Sequence, residues 1–134
     1  MALADSDWVR AARRFSGGSG VDVAYDSVGS TLLRSLDATR TRGQVVFYGM
    51  AGGDPPPLDP RLLMDTSKSV TGGDLWNVLT SASERRARAA ELFFWIQSGA
   101  LRVHIAARVP LAEGARAHAL LESRTVAGKV LLIP

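Results

Sequence analysis

The chain alternates between two spacings of apolar residues, and this alternation predicts helices and strands in turn. Apolar residues three or four positions apart are typical of a helix with one buried face, whereas short continuous apolar runs are typical of buried strands. Clusters of glycine and proline separate the segments. The sequence predicts ten elements, which in chain order are helix 4–15, strand 21–26, helix 30–40, strand 42–49, helix 60–67, strand 68–76, helix 81–99, strand 101–110, helix 111–123 and strand 129–134.

Local signals predict the ends and the buried faces of the helices. Ser81 and Glu84 match the S-x-x-E capping box, and Gly99 ends the same helix. Asp59 is the expected cap of helix 60–67, with Pro60 in its first helical position. Further caps are expected at Asp5 or Ser6 and at Ser30 or Thr31. The apolar faces are predicted from Trp8, Val9, Ala12 and Phe15, from Leu32, Leu33 and Leu36, and from Leu92, Phe93, Trp95 and Ile96.

Strands that alternate with helices predict an α/β fold with a parallel sheet and flanking helices. The connections are long enough for the crossovers that parallel strands require. The continuous apolar run in strand 42–49 predicts cover on both faces of the sheet. Strands 101–110 and 129–134 can lie outside the main sheet, so the chain is expected to end in a strand-helix-strand tail.

Composition narrows the classes to which the protein can belong. The chain has 134 residues and no cysteine, which excludes a disulfide framework and a thiolate metal site. The net charge is +3, but the arginines are scattered over several segments, so we expect no nucleic-acid partner. No apolar run is long enough to span a bilayer, and residues 1–10 lack the layout of a signal peptide. We therefore expect a cytoplasmic protein with no membrane partner.

Two predicted strands end in the same way, in small polar residues and glycines. The first ends in DSVG at 26–29, and the second continues into YGMAGG at 48–53. Ligands of open parallel sheets lie beyond the carboxyl ends of the strands, and glycine lets a ligand approach the main chain. The helix that begins near Ser30 offers free N–H groups there. A second interpretation stays open, in which both segments are only tight connections between strand and helix.

Three stretches of the chain resemble a known family. They are GVDVAYDSVG at 20–29, LDATRTRGQVVFYGMAGG at 36–53 and VPLAEGARAHALLESRTVAGKVLLIP at 109–134. They resemble the carboxyl-terminal part of the quinone oxidoreductases, the zinc-independent, zeta-crystallin-like branch of the medium-chain dehydrogenase/reductases. The resemblance extends from about Asp7 to the end of the chain, and its most specific part is 110–134.

The resemblance implies a partial Rossmann-type sheet and a division of the chain. Residues 1–100 correspond to the carboxyl-terminal half of a Rossmann nucleotide-binding domain, and residues 101–134 to the tail that returns to the catalytic domain in the family. The family's GroES-like domain and glycine-rich phosphate loop have no counterpart here, because GGSG at 17–20 follows a helix rather than a strand. We therefore expect a piece of a larger reductase, inactive alone.

By resemblance, two turns hold the nicotinamide half of the cofactor, which is NADPH in the family. The residues that the resemblance assigns to cofactor binding are Ser27, Val28, Gly29, Tyr48, Gly49, Met50 and Ala51. Gly52 stands where the family usually has serine, so one side-chain hydrogen bond is absent. The implied reaction is hydride transfer from NADPH to a quinone or an activated alkene, in which the protein orients the cofactor.

No residue of the chain is assigned a catalytic or metal-binding role. His118 is interpreted as a structural residue of helix 111–123, and His104, within strand 101–110, as an isolated titratable group. Asp26 is interpreted as a cap of the following turn, with contact to a ribose hydroxyl as the alternative. The aromatic residues interpreted as core or interface are Trp76, Phe93, Phe94 and Trp95.

The resemblance to quinone oxidoreductases also implies a homodimer, and two other functions stay open. In the family the last Rossmann strand often pairs with its twin across a two-fold axis, so we expect a homodimer through residues 69–75. One alternative function is a small α/β ligand-binding or interaction module. The other is an enoyl-reductase segment of a multidomain synthase, which shares the fold and the hydride chemistry.

Overall fold

The computed structural model describes residues 7–134, which belong to two compact units, Met1–Thr80 and Ser81–Pro134. The helices are α1 (Trp8–Phe15), α2 (Leu32–Ala38), α3 (Pro60–Thr66), α4 (Leu75–Val78), α5 (Ala82–Gln97) and α6 (Gly114–Glu122). The strands are β1 (Val21–Asp26), β2 (Thr39–Phe47), β3 (Ser69–Gly72), β4 (Ile105–Pro110) and β5 (Lys129–Ile133). A 3₁₀ turn, Leu111–Glu113, precedes α6.

Both units contain parallel strands, which confirms the predicted α/β class. In the first unit the strand order is β1-β2-β3, and Val45 of β2 lies opposite Ala24 on one side and Val70 on the other. In the second unit β4 and β5 form a separate two-stranded parallel sheet. Helix α6 connects these two strands, with Val109 and Ala117 buried. The predicted strand-helix-strand tail is therefore confirmed.

The core of the first unit lies on one face of its sheet. Leu32 and Leu36 of α2 are buried with Val45, whose side chain is 0% exposed. Successive residues of a strand point to opposite faces, and on the other face Val23 and Tyr25 of β1 are exposed. In β2 itself, for which cover on both faces was predicted, Val46 lies on this second face and is half-buried, so the cover there is partial among the described residues. An apolar run shows that both faces of a strand are hydrophobic, but it does not show what packs against them.

The third strand is shorter than predicted, because a helix begins directly after it. β3 ends at Gly72, and Asp74 then caps α4 by accepting the Trp76 N–H on Oδ1 at 3.0 Å. The predicted strand 68–76 was therefore wrong in its second half. The sequence did contain a signal for this helix, since aspartate is a favoured N-cap residue and Asp74 stands directly before Leu75.

Other boundaries differ from the prediction as well, among them the end of α2 and the start of β4. Helix α2 ends at Ala38 rather than at Arg40, and Thr39 begins β2 at once. β4 begins at Ile105, so His104 precedes the strand instead of lying within it. The end of α2 differs by two residues, the size expected for element ends. The start of β4 differs by four residues, so residues 101–104 are wrongly predicted as strand.

The predicted caps of α3 and α5 are confirmed. Asp59 Oδ1 accepts the Arg61 N–H at 2.9 Å. Ser81 Oγ accepts the Glu84 N–H at 3.1 Å. The Glu84 carboxylate forms an ion pair with Arg88 at 3.0 Å. Its described contacts therefore do not include the return hydrogen bond to the N-cap residue that a full capping box requires.

The first two helices begin differently. Asp7 is the N-cap residue of α1, without a side-chain cap hydrogen bond, and the predicted caps Asp5 and Ser6 lie outside the described residues. Thr31 is the N-cap residue of α2, also without a cap hydrogen bond, because its hydroxyl donates to Asp26 instead.

The predicted apolar faces are only partly buried. Leu32 and Leu36 of α2 are buried as predicted, whereas Phe15 of α1 is 92% exposed. No residue of α5 is buried. All four aromatic residues interpreted as core or interface are exposed, namely Trp76, Phe93, Phe94 and Trp95. The core interpretation is therefore wrong for them, and the interface interpretation stays a prediction. Helical spacing identifies an apolar face but not a partner that covers it.

The boundary between the compact units falls between Thr80 and Ser81, and α5 thus belongs with β4, α6 and β5. The division at residue 100 concerns the domains of a longer family member and stays a prediction. Among the helices of residues 7–134, none combines the length and the apolar character that a membrane span requires.

Candidate functional site

The carboxyl ends of β1 and β2 lie side by side at one edge of the first sheet. The strands are parallel neighbours, with Asp26 opposite Phe47, so the segments that follow them leave the sheet at the same edge. We call these two segments, residues 26–31 and 48–53, the paired turns. All seven residues assigned to cofactor binding from the sequence lie in them, namely Ser27, Val28, Gly29, Tyr48, Gly49, Met50 and Ala51.

Backbone hydrogen bonds join the paired turns directly. They run from the N–H of Tyr48 to the Asp26 carbonyl at 2.9 Å, from Ala51 to Ser27 at 3.0 Å and from Gly52 to Val28 at 2.8 Å. The two turns are therefore one continuous rim, and each holds the main chain of the other in position.

The glycines of the paired turns allow this contact. A Cβ on Gly52 would lie 2.5 Å from Val28 Cγ1. Gly29 has φ +82°, and a Cβ there would clash with the carbonyl oxygen of Gly53. We expect from the sequence that these glycines admit a ligand, but the facing turn occupies the space at Gly29 and Gly52. Their missing side chains allow two turns to approach each other.

Asp26 holds the first turn together from the inside. It is 2% exposed. Its Oδ1 accepts the N–H groups of Val28 at 2.9 Å and Gly29 at 3.0 Å, and its Oδ2 accepts the hydroxyls of Thr31 at 3.0 Å and Ser35 at 2.6 Å. Burial raises the pKa of this carboxyl, but the hydrogen bonds, led by that of Ser35, outweigh burial and lower the pKa below its usual value.

These bonds decide between the two interpretations of Asp26. A carboxylate has about four acceptor positions, and four donors occupy them here. No acceptor position is left for a ribose hydroxyl. The interpretation of Asp26 as the cap of the following turn is therefore confirmed, and the ribose alternative is wrong.

A cavity of about 580 Å³ opens at the carboxyl ends of β2 and β3. We call it the β2–β3 cavity. Tyr48, Gly49 and Met50 line it, together with Trp76 and Asn77 of α4, which are not among the site residues predicted from the sequence. Its volume lies in the range of roughly 300–1,000 Å³ that is usual for small-molecule sites. The Asp74 cap that starts α4 brings these missed residues to the sheet edge.

A second cavity, of about 260 Å³, lies at the carboxyl end of β1, and we call it the β1 cavity. Ser27 and Val28 line it, with Trp8 of α1 and the hydroxyl-bearing Thr31 and Ser35. The structure therefore joins the predicted residues in one rim but divides their exposed surfaces between two cavities. Neither cavity has Gly29 or Ala51 in its lining.

The first unit has no histidine, since His104 and His118 both follow residue 80. His118 lies on helix α6, as predicted. The residues around the paired turns thus supply main-chain donors, aromatic surface and hydroxyl groups, but no imidazole for acid–base chemistry. Such a surface is suited to holding and orienting a ligand whose own atoms react.

Comparison with known proteins identifies the class to which this protein belongs. The parallel sheet with its flanking helices matches the Rossmann-like cofactor domain of quinone oxidoreductases. A family model described as zinc-binding dehydrogenase matches residues 3–132. The chain belongs to this family, and within it to the quinone oxidoreductase branch of the medium-chain dehydrogenase/reductases, as predicted.

The individual relatives are longer than this chain. A 2-haloacrylate reductase from Burkholderia sp. is 37% identical over 131 residues, which are 96% of this chain and 39% of the relative. Quinone oxidoreductase 1 of Escherichia coli (strain K12) is 37% identical over 134 residues, 97% of this chain and 41% of the relative. The crystal structure of Escherichia coli quinone oxidoreductase complexed with NADPH is 36% identical, with a TM-score of 0.82. The match covers 100% of this chain and 42% of the Escherichia coli chain. The chain spans about two fifths of the length of these relatives.

The family's description names zinc, and the described residues do not provide a site for it. Within residues 7–134, no group of three or more histidine, cysteine, aspartate or glutamate side chains is placed to hold a metal ion. Zinc in proteins takes three or four such ligands. We therefore assign no metal to these residues.

Proposed function

We propose that this chain is the part of an NADPH-dependent oxidoreductase that holds the nicotinamide half of the cofactor, for hydride transfer to a quinone or an activated alkene. The observation that carries the proposal is the continuous rim of the paired turns beside the β2–β3 cavity. Ligands of open parallel sheets bind at this edge. The expected cellular location is the cytoplasm.

The names of relatives support the cofactor and the two acceptor classes. Escherichia coli quinone oxidoreductase and a mycobacterial protein, the latter 38% identical with a TM-score of 0.78, were both solved in complex with NADPH. Matching relatives are named quinone oxidoreductase and 2-haloacrylate reductase. We propose that Ser27, Val28, Gly29 and residues 48–51 form the wall against which the nicotinamide half lies.

The β2–β3 cavity suits a flat ring system. Phe47, Tyr48 and Trp76 contribute aromatic surface, and the main chain at Gly49 contributes peptide groups. A hydride transfer needs the donor carbon and the acceptor carbon held in contact, and orientation of this kind supplies much of the rate acceleration of two-substrate reactions. The cofactor carries the electrons, so the protein's part is to position both rings.

We propose that the chain alone is catalytically inactive and binds NADPH weakly. No glycine-rich phosphate loop follows a strand in this sequence, since GGSG at 17–20 follows helix α1. That loop and the helix after it bind the pyrophosphate in dinucleotide folds. Without it, only contacts to the nicotinamide half remain.

Titration of the ¹⁵N-labelled chain with NADPH tests the proposal. We expect weak binding, with the amide signals of the paired turns shifting and those of α6 unchanged. Tyr48→Ala is expected to weaken binding by roughly 2- to 10-fold, the effect of losing one aromatic contact. The matched control is Phe15→Ala, because Phe15 is also an exposed aromatic residue but lines neither cavity. Tight saturable binding, or shifts that avoid the paired turns, would contradict the proposal.

We further propose a homodimer that forms through residues 69–75. β3 is the edge strand of the β1-β2-β3 sheet, and Thr71 on it is exposed. An unpaired strand edge favours pairing with a second strand. Analytical ultracentrifugation should show a dimer that Thr71→Lys disrupts and Thr41→Lys, an exposed threonine on β2, does not. A monomer at high protein concentration would contradict this assembly.

A further inference from the structure

The lining of the β2–β3 cavity carries charge of one sign. Of the nine described residues that line it, Asp74 alone is charged, and none is lysine, arginine or histidine. The Asp74 carboxylate is held at this wall, because its Oδ1 accepts the N–H of Trp76, another lining residue, at 3.0 Å. A group bound in the cavity therefore meets one negative charge and no positive side chain of the lining.

The main chain of the lining offers little compensation to an anion. The N–H of Tyr48 donates to the Asp26 carbonyl at 2.9 Å, and that of Gly73 donates to the Phe47 carbonyl at 2.9 Å. Both donors are thus occupied within the fold. Proteins hold carboxylates mainly through arginine, lysine or free main-chain N–H groups.

The two acceptor classes of the proposed function differ in charge. A quinone is uncharged, whereas 2-haloacrylate, which gives one matching relative its name, is a carboxylate. Like charges at short range repel even in water, and more strongly in a cavity that contains less water. The Asp74 carboxylate therefore disfavours an acceptor that is itself an anion.

The uncharged groups of the cavity suit a flat carbonyl compound. Phe47, Tyr48 and Trp76 provide aromatic surface for a ring. Asn77 is exposed, and its main-chain N–H donates to the Asp74 carbonyl at 3.1 Å. The side-chain amide of Asn77 is a hydrogen-bond donor without charge. A quinone presents a flat ring with two carbonyl oxygens, and these accept hydrogen bonds.

We propose that Asp74 and Asn77 determine the acceptor specificity of the β2–β3 cavity. Asp74 repels anionic acceptors, and the Asn77 amide donates a hydrogen bond to a carbonyl oxygen of an uncharged one. The acceptor is then a neutral quinone or enone and not a carboxylate such as 2-haloacrylate. This inference rests on the proposed function and deepens it, because it decides between two acceptor classes and assigns two residues to which the family resemblance gives no role.

Two naphthoquinones that differ in charge test the proposal. Menadione is uncharged, and 1,4-naphthoquinone-2-sulfonate carries a negative group on the same ring system. Each is titrated into the ¹⁵N-labelled full chain, and binding is followed at the amides of Gly49 and Gly73, which both line the cavity. We expect menadione to bind roughly 3- to 10-fold more tightly, the effect of one like charge at short range. The difference should shrink at about 1 M sodium chloride, where charges are screened beyond ~3 Å.

Substitution of Asp74 separates charge from shape. Asp74→Asn removes the charge and keeps a good N-cap acceptor for α4. It should raise the affinity for the sulfonate roughly 3- to 10-fold and leave that for menadione unchanged. The matched control is Asp59→Asn, which makes the same change at the N-cap of α3, outside the lining of the cavity. Both affinities should stay unchanged in this control.

Substitution of Asn77 tests the hydrogen bond to the acceptor. Asn77→Leu replaces the amide by an apolar group of similar size. It should weaken menadione binding by roughly five-fold, the effect of one neutral hydrogen bond. An unchanged menadione affinity in Asn77→Leu overturns the role of Asn77.

The remaining outcomes distinguish this inference from the proposed function. Equal affinities of the unaltered chain for the two quinones, or no binding of either, overturn the inference. An equal gain in sulfonate affinity in Asp59→Asn and Asp74→Asn also overturns it. Shifts of the paired turns with NADPH, together with equal quinone affinities, support the proposed function and contradict only the inference. Selective binding of menadione without any effect of NADPH on the paired turns contradicts the proposed function and not the selection of uncharged ligands. If Asp74→Asn does not fold, the two quinones and their salt dependence in the unaltered chain decide.

Discussion

Helix α2 has seven residues and buries four of them, whereas helix α5 has sixteen residues and buries none. Yet α5 has the stronger local signals, with a side-chain cap from Ser81 and an ion pair between Glu84 and Arg88. Helix α2 has no side-chain cap hydrogen bond, and its leucines lie against β2. The difference separates two contributions to a helix. Capping and spacing decide whether the backbone becomes helical, and a neighbouring element decides whether its apolar face contributes to stability.

The largest expected effect comes from the core of the first unit. Leu36→Ala should lower the free energy of unfolding by about 2–5 kcal/mol, because it removes buried methyl groups and leaves a cavity. The matched control is Leu92→Ala in α5, an exposed leucine for which we expect a change within about 0.5 kcal/mol. Urea denaturation of both variants measures the comparison. If Leu92→Ala were as destabilising as Leu36→Ala, the face of α5 would be covered in solution.

The next effect concerns the contact between the paired turns. Gly29→Ala should destabilise the chain by about 2–4 kcal/mol, because alanine is strained at φ +82° and its Cβ overlaps the facing turn. The control is Gly17→Ala, since Gly17 has φ +70° but nothing within 4 Å of a Cβ, and we expect about 1–2 kcal/mol there. Thermal or urea unfolding distinguishes the two. Equal losses of unfolding free energy in the two variants would show that a Cβ at Gly29 does not clash with the facing turn.

A smaller effect, with a defined pH dependence, comes from Asp26. Asp26→Asn should cost about 1.5–3 kcal/mol at neutral pH, because the hydrogen bonds to a charged acceptor are weakened. The pKa of Asp26 is lowered from 3.8 on folding, so its stabilising contribution is fully present above that value. The contribution is lost as the pH falls below 3.8 and through the lower pKa of the folded protein.

Unfolding of Asp26→Asn and of the unaltered chain at several pH values measures this effect. The difference between the two should shrink as the pH is lowered below 3.8. Asp22→Asn is the control, an exposed aspartate on the same strand whose ion pair with Arg40 we expect to contribute no more than about 1 kcal/mol. A constant difference across the range would mean that Asp26 does not act through its charge.

The smallest effect tests α5 alone. Ser81→Ala removes the N-cap acceptor of the Glu84 N–H and should cost about 1 kcal/mol of helix stability. Because no residue of α5 is buried, the loss should be local. Faster amide hydrogen exchange in the first turn of α5, with unchanged exchange in β2, is the expected result. Ser98→Ala at the other end of the helix is the control. Faster amide exchange in β2 of the Ser81→Ala variant would contradict the prediction, because it would show that the two units unfold together.

Much of the candidate site was predictable from residues close together in the sequence. The DSVG and YGMAGG segments follow apolar runs, and parallel strands place their carboxyl ends at one edge. The resemblance to quinone oxidoreductases then assigned roles to them, and the family is confirmed. Trp76 and Asn77 were missed because a strand was predicted where Asp74 starts a helix. The environment of Trp8, whose indole N–H has no partner among residues 7–134, was not predictable, because it depends on packing between α1 and the end of β1.

The sequence by itself determined the alternation of helices and strands, the caps at Asp59 and Ser81, and the two glycine-containing turns, because these depend on residues within a few positions of each other. Only the tertiary structure decided which apolar faces are buried and that Val23 and Tyr25, on one face of the first sheet, are exposed. It also decided that Gly29 and Gly52 accommodate the facing turn rather than a ligand. Burial and close approach are properties of pairs of segments, and a pattern within one segment does not name its partner.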